Sequence, residues 1–196
     1  LAMLANECFE TSRCKAFSLK TYWTNALATG QLASELAKAS GCANPSDAYL
    51  LGLLHNIGTL LLVQRRPKDM AEVLQQPDLE LASLADICAA EKEVMGVDAC
   101  SSGSLLAAFW NLPRYLSVSV RVLMDQDYKG ESKELVRLVA AAEYTIRVLA
   151  KGGEPLQLAR QQLSVVTGLD AEQTHAVLEN FQDNIEKIEA AAQGLV

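Results

Sequence analysis

The chain lacks the local signatures of most enzymes. None of G-x-S-x-G, Walker A, G-x-G-x-x-G or H-E-x-x-H occurs in its 196 residues, which leaves no frame for a serine nucleophile, a phosphate-cradling loop, a dinucleotide or a helix-borne metalloprotease site. Histidine occurs only twice, at His55 and His175, too far apart in sequence to be assumed to meet at one ion. The five cysteines, Cys8, Cys14, Cys42, Cys88 and Cys100, are an odd set with no C-x-x-C, which suggests neither a disulfide framework nor a zinc knuckle and fits a reducing cytoplasm. Basic residues are outnumbered 17 to 24, for a formal charge of −7 and no basic stripe, which opposes binding to nucleic acid or an anionic membrane surface. Long apolar runs are missing too: Leu50 to Val63 falls short of the roughly 20 residues that span a bilayer and contains His55 and Asn56, and no signal peptide is visible. Glycine and proline are sparse, and aromatic residues make up only 6% of the chain, so little favours strands.

Half of the residues are apolar, with leucine and alanine dominant. That is enough for the core of one ordinary domain, and it predicts an all-α fold. Helical spacing of Leu1, Leu4, Ala5 and Cys8 is followed by a polar turn from Glu10 to Lys15. A clearer helix runs from about Ser18 to Ser40, stopped by Gly41, with Leu19, Trp23, Ala26, Leu27, Ala33 and Leu36 on one face and Asn25 beside it. Asn44, Pro45 and Asp47 start the next helix, predicted as a single run through Leu62. A short helix follows Pro67. Ser83 and Asp86 have capping-box spacing for a helix that Gly96 terminates, and Ser101 or Ser102 is expected to cap another, which Asn111-Leu112-Pro113 breaks. A long amphipathic helix from Leu135 to Leu149 ends at Gly152-Gly153. Two more, about 155–166 and 171–192, close the chain. In the last, Leu178, Phe181, Ile185 and Ile188 form a short heptad-like stripe that fits packing within the domain better than a homodimer seam, since it is under three heptads long.

The polar pair His55-Asn56, set among leucines on every side, is the candidate site. Burying an unpaired polar group costs roughly 1–3 kcal/mol, so both side chains need partners, a ligand or a wet cavity. His followed by a carboxylate is how one class of metal phosphohydrolase holds its ion, but Asn56 is a neutral and weaker ligand. His55 therefore reads as a buried, hydrogen-bonded histidine without a metal. Cys100 reads as packing, Glu91-Lys92-Glu93 as a solvated helix end, and Arg65-Arg66 as a cap on helix carbonyls.

Four strings in order carry a family resemblance: YWTNALATGQLASELA at 22–37, DAYLLGLLHNIGTLLL at 47–62, EKEVMGVDACSSGSLLAAFWNLPRYL at 91–116 and AAAEYTIRVLA at 140–150. Together they resemble the HDOD domain, a helical bacterial signalling module related to HD phosphohydrolases. The resemblance implies a multi-helix HD-like bundle over 1–196, corresponding to the C-terminal HDOD subdomain. It also implies a further N-terminal helical subdomain ahead of Leu1 and a C-terminal extension, 155–196, packed on the bundle. Where catalytic HD relatives carry metal-binding histidines and aspartates, the matching positions here are Asn25, His55, Asn56, Ala99, Leu123, Met124 and Glu143, of which only His55 is literally kept. The implied role is non-catalytic signalling without a cofactor, through protein partners or attached receiver, kinase or cyclase domains. The alternatives are residual metal-dependent phosphoester hydrolysis, or a sensor that takes a small molecule or nucleotide in the vacated metal cavity.

Overall fold

Ser18 opens the longest described helix, α1 (Leu19–Ser40), with its hydroxyl accepting from the Thr21 N–H at 3.2 Å, and Gly41 closes it in the left-handed region at φ 67°. Both ends agree with the sequence reading. The structure is a computed structural model, and it describes residues 9–79, 82–125, 127–149 and 153–195. The helix expected around Leu1, Leu4, Ala5 and Cys8 lies outside those residues, as does Gly152.

Ten further α-helices follow among the described residues: α2 (Pro45–Leu54), α3 (Ile57–Arg65), α4 (Pro67–Leu74), α5 (Leu84–Met95), α6 (Ala99–Phe109), α7 (Arg114–Arg121), α8 (Lys133–Leu149), α9 (Gly153–Thr167), α10 (Ala171–Asp183) and α11 (Ile185–Gln193), with a 3-10 turn at Pro77–Leu79. No strand occurs among the described residues, so the chain is all-α. Because α1 buries Trp23, Ala26, Leu32, Ala33 and Leu36 on several sides, it acts as the axle of the bundle: α2, α8, α10 and α11 all pack on it. Two glycine contacts allow the closest approaches. At the first, a Cβ on Gly52 would stand 2.6 Å from the Gly30 Cα, so α1 and α2 meet backbone to backbone. At the second, Gly58 of α3 lies against Ala99 and Gly103 of α6.

The structure corrects several expectations. The run predicted as one helix through Leu62 is broken at His55-Asn56, where Asn56 leaves helical geometry at φ −115°, ψ 22°. Residues 45–65 taken together are long and apolar enough to cross a membrane by length and composition, contrary to the reading from Leu50 to Val63 alone. However, 56% of their apolar window is buried inside the protein, which is the position of a core segment. The cap of α6 is Asp98 and not a serine: its carboxylate accepts from the Ser101 N–H at 2.7 Å, as an anion at a helix N-terminus should. Gly153 begins α9 instead of ending α8. Arg66 pairs with Asp69 at 2.5 Å and caps no carbonyl with its side chain among the described contacts. The final helix is two helices, interrupted at Asn184 (φ −102°, ψ 0°). Leu178, Phe181 and Ile188 are buried against the chain's own core, with Ile185 half-buried beside them, so the stripe is used inside the molecule.

Candidate functional site

The break between α2 and α3 is built around His55. Its ring is 4% exposed, and Nδ1 lies 2.6 Å from the Gly52 carbonyl oxygen at the end of α2. A carbonyl only accepts, so Nδ1 carries the proton and donates it there, leaving Nε2 with its lone pair. Burial is the main reason that the ring's pKa is lowered from 6.5, with Glu143 opposing and Arg147 reinforcing the shift. The imidazole is accordingly held neutral. Asn56, half-buried, has a side-chain oxygen that is out of solvent and without a hydrogen-bond partner. Two neighbouring residues thus present acceptor atoms, a neutral nitrogen and a neutral amide oxygen.

Glu143 comes from α8 and is 7% exposed. Its carboxylate is committed to Arg147 one turn on: Nη2 donates to Oε2 at 3.2 Å, while Nε lies 2.5 Å from Oε1 as an ion pair without hydrogen-bond geometry. Arg147 Nη1 also donates to the Ala82 carbonyl at 2.5 Å. The site therefore holds a guanidinium close enough for its charge to act on His55.

The other predicted positions offer no charged or imidazole ligand. Ala99 and Leu123 are buried apolar residues, Met124 is half-buried, and Asn25 is half-buried on α1. Leu123, Met124 and Glu143 share a groove of about 750 Å³ with Arg137, Tyr144 and Arg147, bounded by α8, α9 and the start of α5; Asn25, His55 and Asn56 do not line it. His175 is exposed and pairs with Glu179 at 3.2 Å.

One acidic residue was misread from the sequence. Glu91 is not in a solvated helix end: it is 1% exposed and accepts the Ala99 N–H at 2.6 Å through Oε2. Desolvation first, with the nearby Asp98 charge adding to it, pushes its carboxyl up to about 7 against the pull of that N–H. The signal was available, because Cys88, Glu91 and Met95 are spaced three and four apart and share the inward face of α5. Arg147 was also missed, although its i,i+4 spacing from Glu143 is that of a helical ion pair.

A family model described as the HDOD domain matches residues 1–125. The chain belongs to the HDOD domain family. Among proteins similar to this HDOD chain is an uncharacterized protein of Treponema pallidum (strain Nichols), 29% identical over 177 residues, which cover 88% of the chain and 33% of that protein. A solved structure from Shewanella amazonensis SB2B, provisionally named a phosphohydrolase, has a TM-score of 0.72 at 24% identity, covering 93% of this chain and 66% of that one. The MmoQ response regulator of Methylococcus capsulatus str. Bath has a TM-score of 0.65, also at 24% identity, covering 85% of this chain and 64% of that one. The chain spans about a third of the Treponema protein's length, and just under two thirds of each of these two solved chains.

Metal-dependent HD relatives imply a cation at these positions, and the residues present do not fit one. A divalent ion is held by anionic or imidazole donors in number. Here Glu143 is neutralised by Arg147, Asn56 is uncharged, and Ala99, Leu123 and Met124 supply nothing. Only His55 Nε2 remains as a strong donor, and the Arg147 charge opposes a second cation near it.

Proposed function

We propose that this chain is a non-catalytic signalling module that acts through contacts with protein partners or attached domains of the receiver, kinase or cyclase type. The observation that carries the reading is the Glu143–Arg147 pair, in which a fixed guanidinium neutralises the one acidic group left at the HD positions. Hydrolysis in HD enzymes needs a metal ion to lower the pKa of bound water and to clamp phosphate oxygens, and one imidazole beside a cation does not provide that. The relation to a response regulator in fold, and membership of a family used in signalling, support the same reading. The test is phosphodiester and phosphomonoester hydrolysis by the purified protein in manganese(II). No turnover above a protein-free control is expected. Turnover that disappears in His55→Ala would overturn the proposal in favour of residual phosphohydrolase activity.

A second reading, a small-molecule sensor, is favoured by one feature. The groove beside Leu123, Met124 and Glu143 is of ligand size and carries two arginines and a tyrosine. Thermal-shift measurements with mono-, di- and cyclic nucleotides test it: a saturable rise in Tm that Arg137→Ala abolishes supports binding there, and no shift across the set counts against it.

A further inference from the structure

Cys88 and Cys100, twelve residues apart, meet where α5 and α6 pack. Their sulfurs are 3.6 Å apart, and the residues are 1% and 2% exposed. Asp98, fully buried as the cap of α6, brings a carboxylate oxygen within 4.8 Å of both sulfurs. The grouping follows from local geometry. Cys88 lies on the inward face of α5, Gly96 reverses the chain at φ 76°, and Asp98 and Cys100 at the head of α6 then look back at α5. Glu91, one turn along from Cys88, places a second buried carboxyl near enough to act on Cys100. None of these donors belongs to the His55 site.

The sulfurs stand at thiol–thiol hydrogen-bond distance, Cys88 donating to Cys100, and that spacing fits a shared metal better than it fits a covalent bond. With zinc–sulfur bonds near 2.3 Å, tetrahedral geometry sets two thiolates about 3.8 Å apart, whereas a disulfide requires about 2.05 Å. Asp98 is also oriented as metal-ligating carboxylates are, by hydrogen bonds outside the cluster. The Ser101 N–H donates to Oδ1 at 2.7 Å, and the Ser101 hydroxyl and Lys92 Nζ approach Oδ2 at 3.1 Å and 3.2 Å. A carboxylate has about four lone-pair sites, so these contacts leave room for a metal bond.

We propose that Cys88, Cys100 and Asp98 form a three-donor binding site for a soft divalent cation of the zinc class. On binding, each thiol releases its proton to solvent; each sulfur and the Asp98 carboxylate then donates a lone pair to the ion, and nothing is oxidised. The ion ties α5 to the first turn of α6, beside Ala99.

The experiment uses the reduced chain, incubated with zinc(II), desalted and assayed for metal, with a parallel cobalt(II) form for spectroscopy. One zinc per chain is expected to survive desalting, and the cobalt form is expected to show thiolate-to-metal charge transfer in the near ultraviolet. Cys88→Ser and Cys100→Ser should each lose both signals, and His55→Ala should keep both. Cadmium NMR on the unmutated protein guards against misfolded variants: a resonance between the all-oxygen and four-thiolate extremes is expected. Failure of the reduced protein to retain zinc, charge transfer that persists in both cysteine variants, or a cadmium resonance at the all-oxygen end would each overturn the proposal. So would a Cys88–Cys100 disulfide in the isolated protein with no zinc held after reduction.

Discussion

Gly58→Ala is the sharpest mechanical test of how the His55 break is held in place. A Cβ at Gly58 would lie 2.0 Å from the Ala99 carbonyl oxygen and 2.5 Å from the Gly103 nitrogen, both backbone atoms of α6. Ordinary contact begins near 3.4 Å, so α3 and α6 must part by roughly 1.4 Å, the shortfall from 3.4 Å to 2.0 Å. Overpacking against side chains that can yield costs about 1–3 kcal/mol; helix backbone yields less, which puts this case at about 3 kcal/mol or above. Alanine recovers about 1 kcal/mol over glycine through helix propensity. A net loss of about 2 kcal/mol or more remains, equivalent to a fall in Tm of at least about 4 °C for a domain of this size. Two other glycines calibrate the series. Gly103→Ala meets its nearest atoms at 3.1 Å, one of them a Val120 methyl that can shift, so its effect should be smaller. Gly194→Ala meets nothing closer than 3.5 Å at φ −73°, and should be neutral or slightly stabilising. Thermal and urea unfolding followed by far-ultraviolet circular dichroism gives the order. A Gly58→Ala protein that melts within 1 °C of the parent, or above Gly103→Ala, would refute the close-approach argument.

Two further perturbations probe the electrostatics. His55 has a folded pKa below its unfolded 6.5, so below that pH the unfolded chain binds a proton that the folded chain refuses. Stability should fall as pH falls through 6.5, by no more than about 1.4 kcal/mol per pH unit from this group. Glu91 works in the opposite direction: its carboxyl is pushed up to about 7, so its contribution is full below 4.5 and is lost as pH rises through about 7. The His55 component is therefore read as the difference between the parent and His55→Gln in urea titrations from pH 5 to pH 8 in chelator; parallel curves would contradict a buried neutral ring. Arg147→Met leaves Glu143 buried without its partner and should cost about 3–5 kcal/mol. Adding Glu143→Gln should recover most of that loss, and a double variant no more stable than the single one would show that the pair is not coupled.

The helical frame was largely readable from the sequence because its punctuation is chemical and local. Ser18 and Gly41 bracket α1, Asn44-Pro45 opens α2, and the Ser83–Asp86 box opens α5, where both capping hydrogen bonds form. Breaks without proline or glycine were not readable. Asn56 and Asn184 each interrupt a run whose apolar pattern continues unchanged on either side, and only packing of the flanking helices against different neighbours shows the interruption. At the site, the residue types at Asn25, Asn56, Ala99, Leu123 and Met124, where the resemblance implies ligands, were plain from the sequence. Arg147 matches no ligand position, so its role appears only when its guanidinium is seen on Glu143. The Cys88–Cys100 encounter depends on the turn at Gly96 returning α6 onto α5, a tertiary fact that sequence spacing alone does not encode.

Arg147 also bears on how this region responds to its surroundings. An ion held by ligands stabilises a fold by an amount set by its free concentration, and a chelator or a shortage of metal withdraws that support. A guanidinium carried on α8, bonded to Glu143 and to the Ala82 carbonyl, cannot dissociate from the chain. The positive charge at this centre is inherited with the polypeptide, and its presence does not vary with the supply of a dissociable ion.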